Sequence, residues 1–266
     1  MRQQPGDSNR RPSSFRRLTA VALILVILGV AGGLALWIRQ VDPAQRFARA
    51  EARFAQGDYA GAETGYRAAL KLQERLVGPE HSDTLPSRMG LAKSLFSQGK
   101  TAEAETEHRA VLKLKARVLG AEHPDTLSAR MGVANTLLSL GKSPEAEAKF
   151  RAVFNLRERL LGPEHPDTLS SRMAVATALS VQNKSAEAES QYRTVLQVQE
   201  RILGNDHPDT LTTCHNLTLS LAMQGRVVAA RELARRAMVG GAKAWGPAHP
   251  STKNAENLYE RLTREQ

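Results

Sequence analysis

Apolar positions beyond residue 42 recur with helical spacing, in pairs of stripes separated by a short polar turn. One stripe over Val133, Ala134 and Leu137 is followed by a turn at Gly141 and Lys142. A second, longer stripe contains Ala146, Phe150, Val153, Leu156 and Leu160. Residues three or four apart share one face of an amphipathic helix, and glycine suits the left-handed position after a helix end. The pattern therefore predicts a helical hairpin.

The hairpin repeats with a period of 42 residues. The ladders that share this period are His81, His123, His165, His207 and His249; Gly57, Gly99, Gly141, Asn183 and Gly225; and Ala62, Ala104, Ala146, Ala188 and Ala230. Such a period indicates tandem units that each bury an apolar face against the next. We expect five hairpins near 43–77, 82–119, 124–161, 166–203 and 208–240. A helix over 250–264 is expected to cap the open end of the stack.

Each first helix of a hairpin carries a start signal. In the third hairpin, Pro124 follows His123 and precedes Asp125. Proline is tolerated in the first helical turn because its missing N–H would be unpaired there, and an aspartate complements the helix dipole. The histidines are therefore interpreted as turn residues that precede helices.

The repeat resembles the tetratricopeptide family. Small and apolar residues at Leu91, Ala92, Leu95 and Ala104 match its consensus, with aromatic residues at Tyr66, Phe150 and Tyr192. The run Gly162, Pro163, Glu164, His165, Pro166, Asp167, Thr168, Leu169 looks like the 42-residue variant found in kinesin light chains. This resemblance covers residues 43–266 and implies an all-α right-handed superhelix, an α-solenoid. HEAT-type repeats have an overlapping period but do not usually show this ladder of small residues.

A different pattern precedes the repeats. Residues 18–38 form an apolar run interrupted only by Thr19 and three glycines, and the run ends at Trp37, Ile38 and then Arg39. Its 21 residues would span roughly 31 Å as a helix, which matches the hydrocarbon core of a bilayer. A cleaved signal peptide is the alternative, but its apolar region is shorter and ends in small residues. We interpret the segment as one transmembrane helix behind a disordered basic tail over 1–17.

The tail predicts the orientation of this helix. Five arginines lie within the first 17 residues, and positive charge is held on the cytoplasmic side. The N-terminus is therefore expected in the cytoplasm and the repeat domain outside it, at the periplasmic face of a bacterial-type inner membrane. Gly29 and Gly33 form a small-xxx-small pair, which would let two such helices pack closely as a homodimer. The alternative is that the pattern is accidental in an apolar segment that contains glycines.

The overall charge changes this interpretation little. The chain carries a formal net charge of +10, but half of it lies in the first 40 residues. The repeats mix basic and acidic residues, without the aromatic residues interleaved with basic runs that single-strand binders use. No nucleic-acid partner is expected.

The sequence supplies no candidate for catalysis. Histidines one repeat apart lie on the order of 10 Å from each other, given helix packing distances, whereas zinc binds its ligands at about 2 Å. They cannot share a metal ion. No phosphate-binding loop and no hydrolase motif is present, and the single cysteine, Cys214, excludes an intramolecular disulfide. We expect no enzyme activity, metal or cofactor.

The first helices of the hairpins provide a candidate binding surface. The resemblance implies that the first helix of each hairpin lines a concave face, and the positions opposite its packing stripe then form a groove. The predicted groove residues are Phe47, Phe54, Met89, Lys93, Phe96, Met131, Asn135, Met173, Thr177 and His215. Methionine and phenylalanine side chains provide an adaptable apolar surface for a peptide or helix. Members of the kinesin light chain family often have asparagine where this chain has the three methionines, so recognition is expected to be more hydrophobic.

A basic ladder marks the edge of this groove. Arg88, Arg130 and Arg172 are 42 residues apart, and the ladder ends at Cys214. They are interpreted either as an attraction for an acidic partner or as partners of neighbouring carboxylates. The sequence therefore favours a membrane-anchored scaffold for a protein or peptide partner. The alternative is a protein that binds an anionic polymer, such as an envelope glycan or nucleic acid, through these basic residues.

Overall fold

Residues 42–264 are described by the structure, a computed structural model, and they form eleven α-helices. The helices are α1 Pro43–Ala55, α2 Tyr59–Val77, α3 Leu85–Ser97, α4 Thr101–Leu119, α5 Pro124–Ser139, α6 Ser143–Leu161, α7 Pro166–Val181, α8 Ser185–Leu203, α9 Pro208–Met223, α10 Val227–Ala244 and α11 Pro250–Arg264. A 3₁₀ turn over Ser82–Thr84 precedes α3. The predicted transmembrane segment 18–38 and tail 1–17 lie outside these residues. None of the helices within 42–264 is long and apolar enough to cross a membrane.

Each helix packs against the next along the chain, and the first helices of adjacent hairpins also touch, as α1 with α3 and α7 with α9. The predicted all-α solenoid is therefore confirmed. The second helix of the fifth hairpin runs past residue 240 to Ala244.

The histidine ladder begins the helices. The Nδ1 atoms of His123, His165, His207 and His249 each accept a hydrogen bond from the backbone N–H two residues later, at 3.1 to 3.2 Å. His81 does the same ahead of the 3₁₀ turn. This satisfies one of the N–H groups that a helix start leaves without an intrahelical partner. The histidines are therefore helix caps in addition to turn residues.

Small residues let the helices cross closely at the centre of each hairpin. The alanine ladder on the second helices, Ala62, Ala104, Ala146, Ala188 and Ala230, is completely buried. Leu95, Leu137, Leu179 and Leu221 on the first helices are buried with it. Burial of such side chains contributes about 25 cal/mol per Å² of apolar area. Each unit buries this area against its neighbours, which is why the stack is continuous.

Aromatic side chains on the second helices join one hairpin to the next. Tyr66 is 1% exposed and lies against Gly90, where a methyl group would collide with the ring. Its hydroxyl donates to a carboxylate oxygen of Glu51. Phe150 and Tyr192 are buried at the same position of later hairpins. The ladder has a different residue at His108, which faces Gly132.

Two ladders of charged residues also connect the hairpins. The first surrounds Glu63, Glu105, Glu147 and Glu189, whose side chains are only 12 to 13% exposed. Glu147 accepts hydrogen bonds from Arg151 at 2.7 Å and, from the next hairpin, from Gln182 at 2.8 Å and Lys184 at 3.2 Å. Because these donors belong to two hairpins, the carboxylate fixes one against the other. We call this ladder the carboxylate clamp.

The second ladder lies at the opposite end of the helices. Each loop acid pairs with a basic residue in the last turn of the next hairpin's second helix. The pairs are Glu80 with Arg117, Glu122 with Arg159, Glu164 with Arg201 and Asp206 with Lys243. Their side chains are 49 to 64% exposed. We call this ladder the loop-edge pairs.

Candidate binding groove

The predicted groove residues lie along the first helices but differ in exposure. Lys93, Phe96 and Asn135 are exposed, and Phe96 shows 39% of its surface. The others are half-buried: Phe47, Phe54, Met89, Met131, Met173, Thr177 and His215. The exposed members belong to the second and third hairpins, so the accessible part of the predicted set is concentrated there.

A hollow of about 250 Å³ brings four of these predicted residues together. Phe54, Lys93, Phe96 and Asn135 line it, and His108 from α4 lies between them. No carboxylate is among the residues lining it. The hollow combines two aromatic rings with a cation, and we call it the aromatic hollow.

The aromatic hollow exists where the repeat changes. Tyr66 and Tyr192 have larger rings than the imidazole of His108 and carry hydroxyl groups that bond to Glu51 and Thr177. A methyl group at Gly132 would approach Nδ1 of His108 within 2.9 Å. A smaller ring beside a residue without a side chain leaves space at this point. Burial lowers the pKa of His108, since a charged imidazole loses hydration there.

A second hollow, of about 420 Å³, lies between the fourth and fifth hairpins. Its apolar residues come from α7, namely Leu169 and Met173, and from the end of α8, namely Ile202 and Leu203. The acidic residues around it are Glu164, Asp167 and Asp209. No basic residue is among those lining it. We call it the aliphatic hollow.

This hollow also coincides with a change in the repeat. Arg157 of α6 is 5% exposed, and its guanidinium donates to Ser128, Ser171 and the carbonyl oxygen of Asp167. It thereby bridges the first helices of the third and fourth hairpins. One repeat later the position is Gln199, whose shorter side chain accepts a hydrogen bond from Thr213 at 2.6 Å. The glutamine does not reach across as the arginine does, and the space between α7 and α9 stays open.

Several half-buried groove residues are held by neighbouring side chains. Phe47 lies against Tyr66 and Phe54 against Tyr59, with ring centroids 5.7 and 5.2 Å apart. The sulfur of Met173 accepts a hydrogen bond from Thr213 at 3.2 Å. Such contacts fix the side chains at the bottom of the groove, while Lys93 and Phe96 remain accessible.

The arginine ladder has mixed surroundings. Arg88 pairs with Glu74 at 2.5 Å and Glu107 at 3.1 Å. Arg172 donates to Glu158 at 3.4 Å and lies over the ring of Phe154, 4.7 Å from its centre. Arg130 forms no ion pair with another residue in the described part of the chain. Two of the three arginines therefore lie beside carboxylates of their own chain.

Sequence reasoning missed an aliphatic ladder at the ends of the second helices. Its members are exposed between 37 and 66%: Leu76, Val77, Val118, Leu119, Leu160, Leu161, Ile202 and Leu203. Leu160 shares the apolar stripe of α6 in the sequence but is 47% exposed. The second helix has 19 residues and its partner 16, so its last turn extends beyond that partner. The sequence signal for this ladder is the pair of aliphatic residues before each loop glycine, which recurs every 42 residues.

Two kinds of reactive site, a metal centre and a nucleophilic thiol, were considered within residues 42–264. No group of three or more histidine, cysteine, aspartate or glutamate side chains in this range is arranged to hold a metal ion. Cys214 is completely buried, and burial raises the pKa of its thiol to about 11. A thiol in that state is a poor nucleophile, because the thiolate is the reactive form.

The fold defines a class: an α-solenoid of stacked helical hairpins. A family model described as tetratricopeptide repeat matches residues 44–115, 86–159, 125–200 and 175–238. The chain therefore belongs to the tetratricopeptide repeat family. None of the curated proteins compared with the chain matches it significantly.

Solved structures agree on the type of repeat. A kinesin light chain-type protein of Podosopora anserina with nearly identical TPR-like repeats is 24% identical, with a TM-score of 0.66, over 77% of this chain and 97% of that one. BtubC (BKLC) from P. vanneervenii is 20% identical, with a TM-score of 0.63, over 82% and 89%. The predicted kinesin light chain-like type is confirmed. A Rap protein complexed with Competence and Sporulation Factor is 13% identical, with a TM-score of 0.61, over 83% of this chain and 64% of that one.

Proposed function

We propose that this protein is a membrane-anchored scaffold whose groove binds a segment of another polypeptide. The observation that carries the proposal is the aromatic hollow, where four predicted groove residues meet on the surface of the first helices. Exposed aromatic side chains in a recess bury a large apolar area on binding at a small entropic cost. No catalytic role is proposed.

Anchoring rests on the apolar run over residues 18–38. Its length matches the bilayer core, and only residues 39–41 separate it from the described solenoid. The basic residues of the tail favour a cytoplasmic N-terminus and an extracytoplasmic repeat domain. A homodimer through Gly29 and Gly33 stays a prediction of the small-xxx-small pattern.

A crosslinking pull-down from membranes tests the groove. The intact chain is compared with a double variant, Phe96→Ser with Asn135→Asp, in which both changed side chains are exposed. A matched control, Asn155→Asp, changes an exposed asparagine on the second helix α6. We expect the double variant to lose a partner that the control retains. A partner list unaffected by the double variant would reject the groove.

The anchor is tested separately. Single cysteines introduced in the repeat domain of a Cys214→Ala chain are labelled with a membrane-impermeant maleimide in intact cells. Labelling without permeabilisation is the expected result for an extracytoplasmic domain. Labelling only after permeabilisation would show that the repeat domain is cytoplasmic. Release of the chain from membranes by carbonate would show that it is not anchored.

A further inference from the structure

The aromatic and aliphatic hollows differ in the charge around them. Lys93 is exposed in the aromatic hollow and forms no ion pair with another described residue. The aliphatic hollow has three carboxylates around it. Of these, Glu164 is paired with Arg201, and Asp209 lies 3.9 Å from a ring nitrogen of His207. One hollow therefore favours a negatively charged neighbour and the other a positively charged one.

Both hollows lie at positions where one hairpin has a smaller side chain than a neighbouring hairpin. His108 stands where Tyr66, Phe150 and Tyr192 fill the space between hairpins. Gln199 stands where Arg157 bridges two first helices. The smaller side chains leave space at these two points of the surface.

The hollows also lie at opposite margins of the groove. On the first helices, the aromatic hollow lies at the last turns of α1 and α3 and the second half of α5, and the aliphatic hollow at the first turns of α7 and α9. First helices of adjacent hairpins are about 10 Å apart, so the two hollows are separated by about 25 Å along the stack. An extended chain covers that distance with about eight residues. A ligand that reaches both must cross the groove diagonally.

From these observations we propose that the groove binds an extended peptide segment with two apolar anchors of opposite flanking charge. An aromatic or large aliphatic side chain beside a carboxylate occupies the aromatic hollow near Lys93. About eight residues away, an aliphatic side chain beside a lysine or arginine occupies the aliphatic hollow near Asp167 and Asp209. Charge complementarity of this kind fixes the direction and register of a ligand. The inference rests on the proposed function, because it specifies the ligand of the same groove.

The test is selection of binders from a random 16-residue peptide display library on the full chain in detergent micelles. We expect selected peptides to share the two anchors, an acid at one end and a base at the other. Lys93→Glu should change the preference at the first anchor from acidic to basic. Peptides without this charge pattern, or an unchanged preference with Lys93→Glu, would overturn the proposal while leaving a peptide-binding groove in place. An intact chain that selects no peptide would remove both proposals.

Two variants that fill the hollows with the larger side chain of a neighbouring hairpin provide a second measurement. His108→Tyr fills the aromatic hollow in the way that Tyr66 fills its own position, and Gln199→Arg fills the aliphatic hollow and adds a positive charge. Each is expected to weaken the best selected peptide at least about tenfold without lowering the thermal midpoint. Gln73→Arg, the same change three repeats away from Gln199 and outside the lining of both hollows, is the matched control and should bind as the intact chain does. Equal binding by all three variants would contradict the two-anchor model.

Discussion

The carboxylate clamp and the loop-edge pairs connect the same hairpins with the same types of charge, yet they differ in burial. The glutamates of the clamp are 12 to 13% exposed and receive donors from two hairpins. Those of the loop-edge pairs are 52 to 55% exposed. Water screens an exposed pair and side-chain entropy opposes it, so its net contribution is small. A largely buried carboxylate with several donors loses more when one side is removed. We infer that the clamp stabilises the stack and that the loop edge contributes little.

The largest effect is expected in acid, where all four clamp glutamates lose the stabilisation that depends on their ionised form. The hydrogen bond from Lys100 lowers the pKa of Glu63 to about 2, with further donors in Gln98 and Arg67. Hydrogen bonds also lower the pKa of Glu105, with Arg109 as the main donor. In Glu147 and Glu189 burial raises the pKa, but the hydrogen bonds outweigh it.

Because folding depresses these pKa values, the stabilisation is complete above the unfolded value of about 4.5. It is lost as the pH falls toward 2. Thermal melts followed by circular dichroism from pH 7 to pH 2.5 should show a midpoint that declines below about pH 4.5. A midpoint that is constant down to pH 3 would show that the clamp contributes no net stability.

The next largest loss of stability is expected when one glutamate of the carboxylate clamp is replaced. Glu147→Ala removes the acceptor shared by Arg151, Gln182 and Lys184, and we expect a loss of about 1–2 kcal/mol in the free energy of unfolding. Chemical denaturation measures it. Glu147→Gln is the matched control, since it keeps the shape and one carbonyl acceptor and removes the charge. A loss shared equally by both variants would assign the effect to the charge, and no loss in either would contradict the clamp.

A smaller loss of stability is expected when one of the histidine caps is removed. His165→Ala deprives the Asp167 N–H of its acceptor, and we expect α7 to lose about 1 kcal/mol of stability. His165→Asn offers a side-chain oxygen at the same position and should restore most of it. Amide hydrogen exchange at the start of α7 gives the local readout. Faster exchange in the asparagine variant than in the alanine variant would reject the capping role.

The smallest effect is predicted for a loop-edge pair. Arg159→Ala breaks the ion pair with Glu122, in which both side chains are more than half exposed. The thermal midpoint should move by no more than about 1 °C. A shift as large as that of Glu147→Ala would show that exposure does not distinguish the two ladders.

The hairpins and their packing were accessible from the sequence because they depend on short-range periodicity. Apolar spacing located helices, the Gly and His ladders located turns, and the alanine ladder located the close crossings. The exposure of the predicted groove residues was less accessible from the sequence. Opposite faces of a helix can be inferred from spacing, but the exposure of Phe47 or Met173 depends on side chains from other helices that lie against them.

The sequence by itself determined the class of fold and the period of the stack, because each hairpin repeats one local pattern and contacts only its neighbours. Tertiary structure alone decided where the two hollows lie. The effect of His108 comes from the larger rings of Tyr66 and Phe150 in the adjacent hairpins, and that of Gln199 from the larger Arg157 in the preceding hairpin. Side chains of adjacent hairpins pack closely in the stack. A smaller side chain therefore leaves a recess only once the hairpins lie against each other in the folded protein.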